Sequence, residues 1–101
     1  MSQNDPILME AQAAKAASML RALGNPHRLL VLCLLIEHGE MAVGSLLERM
    51  SLSQSALSQH LAKMREEGLV SYRREAQTLY YRIEHPDVAR LIATLKAIFC
   101  P

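Results

Sequence analysis

Hydrophobic positions recur at helical spacing along most of this chain and change to strand spacing only once. Residues 7–23 are rich in Ala, Met and Leu without a breaker, which predicts a first helix. Gly24-Asn25-Pro26 punctuates the pattern: glycine at a C-terminal cap, asparagine as the next N-cap, proline at the first helical position. A second helix is predicted over Pro26–His38. Its middle, LLVLCLLI, is apolar all round, which predicts burial on every side. After Gly39, the positions Val43, Leu46, Leu47 and Met50 form one stripe of a short helix over 43–50. Ser51-Leu52-Ser53 reads as a tight turn, with Ser53 a good N-cap. The helix over 54–67 then turns Leu57, Leu61 and Met64 inward, at i, i+4 and i+7.

Beyond Gly68 the period shortens. Residues 69–74 and 77–84, with Val, Tyr, Thr and Ile, read as two strands joined at Glu75-Ala76-Gln77. The joint has no glycine, which argues against a two-residue primed turn and for a longer hairpin loop. A last helix starts near Pro86 and presents Val88, Leu91, Ile92, Leu95, Ile98 and Phe99 on a wide apolar face. The predicted fold class is mainly α with a β-hairpin wing, in the order ααααββα. Two helices across a short turn, followed by a hairpin, make a winged helix-turn-helix. Residues 1–6 read as a flexible tail and 7–101 as one DNA-binding and dimerisation domain.

Composition sharpens this. The chain has 101 residues, enough for one domain, and half are hydrophobic. Aromatics are scarce, so Leu, Ile, Val, Ala and Met must build the core. A net charge of +1 does not announce a nucleic-acid binder, so that case rests on local chemistry. With the apolar stripe turned inward, the helix over 54–67 leaves Gln54, Ser55, Ser58, Gln59, Ala62 and Lys63 outside. Serine and glutamine suit base edges, and Ala62 permits close approach. An ordinary solvated face would carry Glu and Lys, whereas here Glu66 and Glu67 come only at the far end. Arg73 and Arg74 near the hairpin tip, and Arg82 on the return strand, suit phosphates, although such arginines also occur on plain surfaces.

Other classes find no support. There is no nucleophile motif, Gly-rich phosphate loop or acidic pair in a likely cleft, so neither an enzyme nor a cofactor is predicted. The longest apolar run, residues 29–36, is far below the roughly 20 residues of a membrane span. The N-terminus lacks a secretory pattern, which predicts a cytoplasmic chain without a membrane partner. In that reducing compartment a structural disulfide is not expected of Cys33 and Cys100.

The stretch VGSLLERMSLSQSALSQHLAKMREEGLVSYRREAQTLYYRI resembles the ArsR/SmtB family of winged-helix repressors, and GNPHRLLVLCLL resembles that family's second helix. The likeness covers roughly residues 15–100. It implies a homodimer through the first and last helices, with double-stranded DNA carrying an inverted-repeat operator as partner. By position, Ser53, Gln54, Ser55, Ser58, Gln59 and His60 fall in the recognition segment, with Lys63 on the same outward face, and Arg73 and Arg74 fall in the wing. His60 lies three residues past Leu57, so it either faces DNA or packs at the helix edge. Dimerisation has a separate argument: the apolar second and last helices offer more surface than one small domain covers.

Many members of the family sense metals. Where a Cys-x-Cys pair is frequent, this chain reads Ala42-Val43-Gly44-Ser45. At the last helix, His85 and Asp87 stand at the start, but the end, Leu95-Lys96-Ala97-Ile98-Phe99, offers no ligand. His27, His38, His60 and His85 are scattered, so no metal site is predicted. Taken alone, Cys33 reads as a small hydrophobe within the second helix. Cys100, one residue from the end of the sequence, has little packing value. Together the pair resembles sulfide-responsive repressors of the BigR/SqrR type, and LSQSALSQHLAKMREEGLV with REAQTLYY is similar to the HlyU regulators. That resemblance implies a redox-sensing dithiol switch of Cys33 and Cys100, with sulfane sulfur species or oxidants as inducer. The alternatives are a soft-metal or arsenic-responsive repressor using the two thiolates, and a non-sensing winged-helix regulator or interaction module.

Overall fold

In the computed structural model, residues 6–100 are described. Among them are five helices and three strands: α1 (Pro6–Leu23), α2 (Pro26–His38), β1 (Met41–Ala42), α3 (Val43–Glu48), α4 (Gln54–Glu66), β2 (Val70–Glu75), β3 (Thr78–Ile83) and α5 (Pro86–Phe99). The tail expected over 1–6 lies outside the described residues except for Pro6, which opens α1.

The punctuation at 24–26 acts as its chemistry requires. The Asn25 side chain accepts the N–H groups of His27 (2.9 Å) and Arg28 (3.2 Å), donors that have no partner within the helix. Pro26 follows at the first helical position, where its missing N–H costs nothing. Gly39 ends α2 at φ 80°, a left-handed conformation that glycine adopts without a Cβ clash, and donates its N–H to the Leu35 carbonyl at 2.7 Å. In the next turn the Ser53 hydroxyl accepts the Ala56 N–H at 3.1 Å and starts α4.

Three expectations from the sequence are corrected. The sheet has three strands, in the order β1-β3-β2, because Met41 and Ala42 pair antiparallel with Tyr81 and Tyr80. A two-residue strand shows no period, so the pattern concealed it. The hairpin loop is short, not long: Glu75 pairs with Thr78, leaving Ala76 and Gln77 as a two-residue connection, with Ala76 at φ 57°. The ladder from Val70↔Ile83 to Glu75↔Thr78 fixes the register, and the turn conforms to it. Finally, α2 is not covered on every side within one chain. Val31, Leu32 and Leu35 are buried, whereas Leu30 keeps 39% of its surface exposed and Cys33 is half-buried. The helix packs on α5 and β3, and these cover only part of its circumference.

The core is one cluster. Leu32 and Leu35 of α2, Leu46 of α3, Leu57, Leu61 and Met64 of α4, Val70 of β2, and Val88 and Ile92 of α5 are fully buried. The inward stripe of α4 is therefore the one its spacing predicted, and its polar residues are held on the opposite face. By contrast α1 buries only Leu23.

Candidate DNA interface and dithiol cleft

The stripe of α4 decides what its outer face presents. Gln54, Ser55, Ser58, Gln59, Ala62 and Lys63 are all exposed. Ser53 is exposed too, but its hydroxyl already serves as the helix cap. His60 sits apart, half-buried, with its ring centroid 5.7 Å from that of His27 in the first turn of α2. Burial and the charge of Arg28 hold its pKa below the ordinary imidazole value, with His27 adding to the effect. Arg28 is itself fixed: its Nη1 donates to the Ala22 carbonyl at 2.9 Å and to Glu67 Oε1 at 3.0 Å.

Gln54 and Ser58 also line a shallow groove of about 340 Å³ whose other walls are Val43 and Gly44 of α3 and Gln77, Thr78 and Leu79 of the hairpin. The outer face of α4 and the tip of the wing thus border one concavity. Gln77 and Thr78 were not among the residues the sequence nominated. The signal was faint, because both sit at a turn whose length the sequence misjudged.

The wing arginines differ from one another. Arg74 is exposed, and its side chain has no hydrogen-bond or ion-pair partner among the described residues. Arg82 lies 3.9 Å from Glu84. All three guanidinium nitrogens of Arg73 make hydrogen bonds. Its Nε donates to both carboxylate oxygens of Glu40 (3.1 and 3.0 Å), its Nη2 to Glu40 Oε1 (2.9 Å) and its Nη1 to Glu75 Oε2 (2.7 Å). Its Cζ also stands 4.5 Å from the centroid of Tyr80, its cross-strand neighbour. The hydrogen bond from Arg73 holds the Glu40 carboxyl below the usual carboxylate range.

Between α2 and the end of α5 lies a cleft of about 240 Å³ lined by Leu29, Cys33, Leu95, Lys96, Phe99 and Cys100. Both cysteines are free thiols, Cys33 half-buried and Cys100 exposed at the cap of α5, where its N–H donates to the Lys96 carbonyl at 2.8 Å. Burial pushes the Cys33 thiol up, and the neighbouring Cys100 and Glu37 add to this, while Lys96 opposes it. No group of three or more His, Cys, Asp and Glu side chains able to hold a metal ion occurs among the described residues. His85 instead caps α5, its Nδ1 accepting the Asp87 N–H at 3.2 Å. No single helix among the described residues is long and apolar enough to cross a membrane.

A helix pair with a polar outer face and an adjoining β-hairpin defines the class: a winged helix-turn-helix transcription regulator. The sequence model of the bacterial regulatory protein arsR family matches residues 25–72. The chain is 47% identical over 92 residues to the transcriptional activator HlyU of Vibrio cholerae, covering 91% of this chain and 84% of that one. The structure of reduced HlyU from Vibrio cholerae N16961 superposes with a TM-score of 0.86 at 46% identity, over 92% of this chain and 97% of that one. The transcriptional repressor BigR of Xylella fastidiosa superposes with a TM-score of 0.82 at 39% identity, over 91% and 90% of the two chains. This chain belongs to the ArsR family of transcription regulators and, like these relatives, is a DNA-binding regulator and not an enzyme.

Proposed function

We propose that the chain is a homodimeric repressor that reads an inverted-repeat operator through α4 and releases it when Cys33 and Cys100 are oxidised by sulfane sulfur or other oxidants. The observation that carries this reading is the placing of both thiols, 67 positions apart in the sequence, on the walls of one apolar cleft. The similarity to a regulator described in its reduced form, and to BigR, supports it. In the dimer, Ser55, Ser58 and Gln59 meet base edges, Ser53, Gln54 and Lys63 flank them, and Arg74 meets phosphate.

The chemistry follows from the two environments. The thiolate is the nucleophile, and burial disfavours that form at Cys33. Exposed Cys100 therefore reacts first. Its sulfur attacks the outer sulfur of a low-molecular-weight persulfide, RSSH. The S–S bond of the persulfide breaks, RSH leaves, and Cys100 becomes a persulfide. Cys33 then attacks the Cys100 sulfur and expels H2S. The two thiols have lost two electrons to form a disulfide, and the persulfide has been reduced to RSH and H2S. The new bond ties α2 to the end of α5. If α5 forms the dimer interface, that bond alters the spacing of two recognition helices that must meet half-sites about 34–36 Å apart.

The test is operator binding by Cys33→Ser and Cys100→Ser before and after persulfide treatment. Both variants should bind as the reduced wild type does, and both should hold DNA after treatment. Release of DNA by either treated variant sinks the dithiol model. Release by arsenite but not by persulfide identifies the thiols as soft-metal ligands.

A further inference from the structure

The wing offers three arginines to a phosphate backbone, and the structure binds one of them to the protein itself. Arg73 spans 33 positions to put its guanidinium fork on Glu40, closes on Glu75 with its remaining nitrogen, and lies against the ring of Tyr80. We propose that Arg73 is a positioning residue: it latches the wing to the segment ahead of β1 and so sets the angle at which Arg74 meets DNA, without itself binding phosphate. This rests on the reading of the hairpin as a DNA-contacting wing.

Three observations lead there. Strand alternation is the first, since neighbours on a strand face opposite ways. Arg73 shares a face with its register partner Tyr80 and turns towards Glu40, whereas Arg74 points the other way and keeps its charge unpartnered among the described residues. Charge is the second. One guanidinium has carboxylate oxygens of two glutamates within 3.1 Å, and Arg82 also acts on Glu40, so the charge of Arg73 is already balanced within the protein. An approaching phosphate must compete with these carboxylates and strip away a bidentate partner. Connectivity is the third. Glu40 is followed at once by Met41 and Ala42, which pair with Tyr81 and Tyr80, and then by α3, which leads into α4. The latch and the β1–β3 pairing therefore fix the hairpin to the start of the helix-turn-helix at one place. A planar fork stacked on a ring specifies an angle, which a flexible ammonium does not.

The experiment measures operator affinity against salt concentration for Arg73→Ala, Arg73→Lys, Arg74→Ala and Glu40→Gln, with thermal unfolding to confirm folding. Each lost phosphate contact lowers the slope of log K against log salt by about 0.9, so the loss of one from each protomer of the dimer lowers it by about 1.8. Arg74→Ala should show that change. Arg73→Ala and Arg73→Lys should keep the wild-type slope and weaken binding alike, on the order of threefold. Glu40→Gln is the most discriminating variant. Removing a carboxylate near DNA and freeing an arginine should tighten binding on electrostatics alone, whereas loss of the latch weakens it. The proposal is overturned if Glu40→Gln tightens binding, or if Arg73→Ala flattens the slope while Arg73→Lys preserves it. If neither Arg74→Ala nor Glu40→Gln changes slope or affinity, the wing does not reach DNA, and the underlying reading falls together with the latch.

Discussion

Ala76 holds a φ of 57° between β2 and β3, a conformation in which its Cβ crowds the following carbonyl. The turn is two residues long because the ladder on either side allows nothing longer. A two-residue hairpin turn favours glycine where φ is positive, and the absence of glycine led the sequence reading to a longer loop. Local chemistry and sheet register conflicted here, and register prevailed. Ala76→Gly removes the Cβ conflict, offset by the greater freedom of glycine in the unfolded chain. The net expectation is a gain of about 0.5 kcal/mol, seen as a rise in Tm of about 2–4 °C. A lower Tm would mean that Ala76 is unstrained. The outer face of α4 was legible at the same scale for the opposite reason: Leu57, Leu61 and Met64 could point only inward, and that left the serines and glutamines outside. Whether Arg73 and Arg74 were equivalent was not legible, since the partner that separates them, Glu40, lies 33 positions away.

Between elements, the contact of α2 with α4 carries a pH dependence. His60 stands against His27, with Arg28 close by and Arg28 locked to Glu67. Burial, and then the charge of Arg28, disfavour a proton on His60, and its folded pKa lies below the ordinary value of 6.5. The unfolded chain therefore holds more protons than the folded one in the window between the lowered value and 6.5. Stability is full above about pH 7 and falls as pH drops through that window. His60→Gln should flatten the dependence of Tm on pH between about pH 7.5 and pH 5.5. An unchanged profile would show that His60 titrates as a free imidazole. The helices themselves were legible from spacing and punctuation: Asn25 and Ser53 cap where they were expected to. The strand β1 was not, because two residues carry no period and acquire their identity only from pairing with β3.

At the scale of the whole molecule, one chain leaves its own apolar surface uncovered. The radius of gyration is 15.4 Å and the extents are 50 × 30 × 21 Å, against a radius of about 13 Å for a compact domain of this length. Helix α1 buries only Leu23 and leaves Leu20 59% exposed. At the end of α5, Ile98 and Phe99 are 61% and 76% exposed. The sequence signalled this as an apolar excess beyond the needs of one small domain, and the homodimer proposed above would cover it. Leu20 lies outside the cysteine cleft and the outer face of α4, so a charge there tests the dimer without touching either. Leu20→Glu should leave the helical content of the chain intact, because its side chain packs little within one chain. Placed in a dimer interface, the same carboxylate is buried without a partner and costs several kcal/mol per chain. Sedimentation equilibrium should then find wild type at twice the chain mass of 11.3 kDa and Leu20→Glu at that mass, with operator affinity lost because one recognition helix cannot span two half-sites. A variant that still sediments as a dimer and still binds the operator would place the interface elsewhere than on α1.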